Sequence, residues 1–261
     1  HVWGNIGQSY SHGVFTTQTP QPAHLDWDLW LGPAAERPYT EGAHTSSWRQ
    51  FWDYGNGRLG DFGCHYMDLV HWALNLRHPS RVHAKGPELD PISTPPWLEV
   101  DYHYSRPGQE PLHLTWHGNR TPEILQSLRT EAGEPIPFNS GQCFIGSKGI
   151  LAIRNDRQPF AYWVPGNPLG PTRESRPWTP FTPAGTGKEE PNLQAMQDVH
   201  SHVTPAKDLV QAVHDDRQPL CNLDEGGMTV EMICAVFESH CQGGRAVPIP
   251  LKERGNALAK L

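Results

Sequence analysis

The chain has 261 residues, a formal net charge of -7, 36% hydrophobic residues and a mean hydropathy of -0.60, enough for a substantial core in one large domain or two small ones. No apolar run approaches the roughly 20 residues of a membrane-spanning helix, and an acidic balance without a basic block argues against a nucleic-acid surface. The surplus lies in 15 His and 10 Trp, side chains suited to proton transfer, metal ligation and stacking on sugar rings.

The five cysteines, Cys64, Cys143, Cys221, Cys234 and Cys241, are odd in number and have no Cys-x-x-Cys spacing. Buried free thiols are therefore expected, not a zinc ribbon or a disulfide framework. The chain opens at His1 without a methionine or leader, which leaves the compartment open, cytoplasmic or exported.

Residues 1–7 alternate apolar and polar positions and read as a strand entered partway through. Residues 8–24 are polar and irregular. Residues 24–33 are dense in aromatic and acidic side chains and stop at Gly32-Pro33. Trp27 and Trp30, three positions apart, fit a core edge and a sugar-stacking platform equally well. Asp26 and Asp28 do not share a helix face, so a glycoside hydrolase with paired carboxylates would need a distant acid opposite one of them.

Residues 55–72 join a glycine loop to a helix that carries titratable side chains in register. Phe62, Tyr66, Leu69, Val70, Ala73 and Leu74 recur at helical spacing and form its apolar face. Asp61, His65, Asp68 and Trp72 follow at i, i+4, i+7 and i+11 and stack along the opposite side. Asp61 is suited to capping the first turn; it is equally placed to orient or charge the His65 imidazole for acid/base work. Spacing leaves both roles open.

Gly55-x-Gly57-x-x-Gly60 has the letters of a dinucleotide fingerprint, but the context is wrong. The fingerprint needs a short apolar strand before it and an acid about twenty residues on. Residues 46–54 are aromatic and polar, and the acid position falls in a basic, Pro-containing turn at 77–81. Cys64 next to His65 makes no dyad, because neighbours on a helix point about 100° apart. A divalent metal would take His65 and Asp68 as two ligands, with the rest drawn from His24, His44 or the pair His200 and His202.

Further along, residues 97–104 and 112–118 alternate as neighbouring antiparallel strands across a turn at 105–108. Residues 143–153 read as a hairpin and 160–164 as one more strand. Residues 165–191 form a Pro/Gly/Thr-rich surface excursion. Helices follow at about 206–215 and 227–242, the second apolar on most sides and buried. Gly243-Gly244 ends it, and residues 245–251 form a short edge segment limited by Pro. There is no internal repeat.

Residues 27–33 and 57–68, the strand-rich middle, and a last helix closed by residues 244–251 together resemble the C-terminal substrate domain of the glucose-fructose oxidoreductase / inositol dehydrogenase (Gfo/Idh/MocA) family. The resemblance covers essentially the whole chain as one substrate-binding and catalytic domain, 1–261. It implies an α+β fold, an open and mainly antiparallel sheet with helices on one face, whose exposed face commonly makes a homo-oligomer interface. It also implies that Asp61 and His65 occupy the family's Asp-x-x-x-His positions, where the His acts as acid/base on the reacting hydroxyl of a sugar or polyol. Trp27, Trp30, Trp52, Asp68, Arg49 and His117 are the expected substrate-binding residues.

The family's NAD(P)-binding Rossmann domain and its Glu-Lys-Pro motif do not occur in this sequence, so no cofactor is expected to bind the chain alone. Three readings follow. The chain is the sugar- or polyol-acting part of an NAD(P)-dependent oxidoreductase; or it is a stand-alone glycoside hydrolase or lyase, with or without a divalent metal; or it is a non-catalytic sugar-binding or oligomerisation module.

Overall fold

Leu98, Val100, Tyr102 and Tyr104 are buried in turn with half-exposed Glu99, Asp101 and His103 between them. That period of two is what a strand with one packed face requires. The computed structural model describes residues 2–4, 19–40, 45–126, 140–147, 149–154, 161–165, 179–180, 204–219 and 222–252. Among these the strands are β1 (Val2–Gly4), β2 (Arg81–Lys85), β3 (Leu98–Tyr104), β4 (Leu112–Gly118), β5 (Ser140–Gly146), β6 (Gly149–Arg154), β7 (Ala161–Pro165), β8 (Thr179–Pro180) and β9 (Val247–Pro248). They form one sheet in the order β8-β7-β6-β5-β1-β4-β3-β2-β9. All its pairings are antiparallel except β1 with β4. The α+β class and mainly antiparallel sheet expected from the sequence are what the structure shows.

The helices are α1 (Trp27–Leu31), α2 (Cys64–Leu74), α3 (Glu123–Gln126), α4 (Thr204–His214) and α5 (Leu223–Cys241). The main core joins Val82, Val100, Tyr102, Leu114 and Trp116 of the sheet to Met67 and Val70 of α2 and to Met232, Val236 and Phe237 of α5. Helices α2 and α5 therefore lie on one face. Arg81, His83, Lys85, Glu99, Asp101, His103 and His113 alternate with the core positions and face the other way.

The last helix begins a turn earlier than its apolar run indicates, because Asn222 caps it: the side-chain oxygen accepts from the Asp224 and Glu225 amides at 3.0 and 3.1 Å. Ser239 fastens its other end to the sheet, accepting from the Ala84 amide at 3.0 Å and donating to the Arg245 carbonyl at 2.6 Å. The chain then turns at Gly244, φ 86°, where a Cβ would lie 2.8 Å from the Ala84 carbonyl. Glycine is needed there on both counts.

Strand β2 was not foreseen. Val82 and Ala84 alternate with Arg81, His83 and Lys85, but two apolar positions in five residues are too short a run to mark a strand. Residues 166–178 and 181–203 lie outside the described residues, so the expected surface excursion falls largely outside them too.

Candidate functional site

A satellite core of Trp27, Leu31, Tyr39 and Phe51 anchors the approach to the site. Asp26 caps α1, accepting from the Leu29 amide at 3.1 Å, and Gly32 ends it at φ 55°. A 3-10 turn, Thr45–Gln50, runs from there to Phe51, which bridges to Ser93. The Thr94 amide donates to the Gln50 carbonyl at 2.7 Å, fixing the turn that carries Arg49.

The glycine loop comes next, and the reason for its glycines is internal packing. A Cβ at Gly55 would stand 2.7 Å from the Arg49 carbonyl, and one at Gly57 (φ 58°) would stand 2.5 Å from Thr94 Oγ1. A 3-10 turn precedes the loop and a π-helical turn, Leu59–Gly63, follows it. A dinucleotide pyrophosphate needs free glycine backbone between a strand and a helix. These glycines are closed against their own chain and do not fit one.

Asp61 sits within the π turn, and α2 starts at Cys64. A π turn spreads the chain beyond 3.6 residues per turn and is frequent at functional sites. It changes the register expected from a regular helix. The Asp61 carboxylate pairs with Arg49, Nε to Oδ2 at 2.9 Å, both side chains about one-third exposed, and the Arg49 guanidinium lies 4.5 Å from the Trp48 ring centroid. His65 opens α2 on its exposed side, its ring 6.4 Å from that of Phe62. Asp68, one turn on, is also exposed. Among the described residues, Asp61 and His65 make no hydrogen bond to each other; Asp61 pairs with Arg49 and His65 is exposed.

Cys64 turns inward. Its Sγ contacts the Gly60 and Asp61 carbonyls at 3.6 and 3.5 Å, and burial holds the thiol above its ordinary range. It is a structural thiol. Cys143, Cys234 and Cys241 are in no disulfide among the described residues.

The other candidates are dispersed. Trp27 is buried edge-on to Tyr39 and donates from Nε1 to the Arg37 carbonyl at 2.8 Å. Trp30 packs against the same satellite cluster. Trp52 stands edge-on to Phe237 and donates to the Asp90 carbonyl at 2.9 Å. All three rings are used in packing. Trp116, next to His117 on β4, stacks on Tyr66 of α2; alternation therefore turns His117 to the far face of the sheet, where it pairs across from Glu99. Burial lowers the His117 pKa to about 4. His24 is exposed in a turn before α1, while His44, His200 and His202 lie outside the described residues. Among the described residues, no group of three or more His, Cys, Asp or Glu side chains is placed to hold a metal ion.

Two site features were missed. Trp48 flanks Arg49, and Met67, not foreseen on the apolar face, is the buried residue of the first turns of α2. Deeper in the helix, His71 accepts at Nε2 from the Tyr104 hydroxyl at 2.8 Å while Nδ1–H donates to the Met67 carbonyl at 2.8 Å. This imidazole is half-buried, and burial lowers its pKa below the ordinary value.

A mainly antiparallel sheet with α2 and α5 on one face makes this an α+β domain. Its residues 8–114 match the family model described as oxidoreductase family, C-terminal alpha/beta domain. That match runs from before α1 into β4. The match includes both motifs on which the resemblance was drawn, at 27–33 and 57–68. No curated protein matches the chain.

Proposed function

We propose that this chain is the sugar- or polyol-acting domain of an NAD(P)-dependent oxidoreductase, with His65 at the reacting hydroxyl. The observation that carries the reading is the rim built by the glycine loop, the π turn and α2. It offers an exposed imidazole beside a carboxylate already fixed by Arg49, within the stretch that matches the oxidoreductase family.

The nicotinamide supplies the hydride acceptor when bound, and it would be held elsewhere than at Gly55, Gly57 and Gly60. The chain's own residues handle the proton. His65 takes it from the substrate hydroxyl as the carbon loses hydride, and returns it in the reverse direction. Asp61, held by Arg49, accepts a hydrogen bond from a neighbouring substrate hydroxyl. Asp68 extends the same polar rim. We also propose self-association through the outward sheet face that carries His83, Asp101 and His113, following the resemblance; sedimentation of the purified protein reads it directly.

The test is binding of a panel of aldoses, uronates and cyclic polyols, followed by calorimetry on the protein and on His65→Ala and Asp61→Asn. A sugar or polyol that binds the parent and is weakened in both variants supports the reading. Absence of binding across the panel, or equal binding in all three proteins, contradicts it.

A further inference from the structure

Beneath the glycine loop lies a cavity of ≈ 10 Å³ lined by Asn56, Gly57, Arg58, Thr94, Trp116 and Gly118 among others. Room of that size holds one water-sized body, and polar cavities of this kind are filled where dry ones are apolar. Its wall is polar. Thr94 is 3% and Trp116 0% exposed. Thr94 Oγ1 and Trp116 Nε1 have no hydrogen-bond partner among the described residues. A polar group taken out of water without a partner is costly, so two lining one cavity call for a shared ligand.

The two glycines keep these atoms uncovered. A Cβ at Gly57 would fall 2.5 Å from Thr94 Oγ1, and one at Gly118 would fall 3.0 Å from Trp116 Nε1. An indole N–H only donates and a hydroxyl donates or accepts, so both atoms together are satisfied by an acceptor. The Arg58 side chain on the same wall adds positive charge.

We infer that a single small hydrogen-bond acceptor, a water or a halide ion, resides in this cavity and is bound by Trp116 Nε1–H and the Thr94 hydroxyl. It ties β4 and residue 94 to the loop at 56–59. That loop leads directly into the π turn carrying Asp61, so the bound group sets the floor on which the Asp61–Arg49 pair stands. The inference does not depend on the substrate.

The experiment is a crystal structure of the chain in chloride, repeated with bromide and measured at the bromine edge, together with melting of Thr94→Val. A peak within hydrogen-bond distance of both atoms is the expected result. Anomalous signal there identifies a halide, and a peak without it identifies water. Thr94→Val, which keeps the shape but removes one partner of the bound group, then lowers the melting temperature by about 2–4 °C. Gly118→Ala should fold and lose the peak, because its methyl covers the indole N–H. An empty cavity overturns the inference, as does a rise in melting temperature for Thr94→Val, the result expected when an unpaired buried hydroxyl is removed.

Discussion

Asp61 and Arg49 come from elements twelve positions apart in sequence, and their 2.9 Å contact gives the proposed site its fixed group. A pair about one-third exposed contributes little to stability, less than about 1 kcal/mol. Its value is in placing the carboxylate. Arg49→Ala should therefore leave the unfolding midpoint nearly unchanged while lowering turnover about 10²-fold, the scale of a misplaced positioning group; Arg49→Lys should recover part of it. Equal turnover in Arg49→Ala would separate the pair from function. Histidines away from the rim make a different prediction. His71, His117 and His240 are all pushed below the ordinary imidazole value by burial, His117 to about 4. Their neutral forms are favoured in the folded protein, so their contribution is complete above about pH 6.5. It is lost as pH falls from there through about 4, because the unfolded chain binds those protons first. Urea midpoints measured from pH 7.5 to pH 4 should fall steadily; a flat profile would show that these imidazoles are not buried neutral.

The glycine loop, π turn and α2 act as one element. Gly57→Ala meets two obstacles, a left-handed φ of 58° and a Cβ 2.5 Å from Thr94 Oγ1, whereas Gly32→Ala meets only the φ of 55° with open space around it. The first should cost about 1–3 kcal/mol more than the second, read from denaturant unfolding. If the two cost the same, the loop does not press on Thr94. Much of this element was legible in the sequence. The helix and its polar stripe follow from spacing and context. The π turn was not, because the inserted residue leaves no compositional mark: Leu59, Asp61 and Phe62 fit a regular helix equally well. Nor were the fates of Trp27 and Trp52 decided by spacing, since a ring that packs against Tyr39 or Phe237 looks in sequence like a ring that stacks on a sugar.

Across the whole molecule, the antiparallel hairpins at 98–118 and 140–154 were readable because their apolar and polar residues alternate cleanly. The parallel pairing of β1 with β4 was not, because it joins chain ends more than a hundred residues apart and register between distant strands has no local signal. Trp116 is where the layers meet, fully buried, stacked on Tyr66 and packed in the common core of sheet, α2 and α5. Trp116→Ala should destabilise the protein by about 3–5 kcal/mol; a loss below about 1 kcal/mol in denaturant titration would mean that the helices do not share this core. The central claim concerns the exposed end of α2, and kcat/KM of His65→Ala tests it most directly, measured in an NAD(P)-binding oxidoreductase that carries this domain, on whichever sugar or polyol the parent oxidises and with circular dichroism to confirm the fold. The account predicts a loss of about 10²–10⁴-fold, the contribution of a positioned acid/base. Turnover equal to that of the parent in a folded His65→Ala would contradict it.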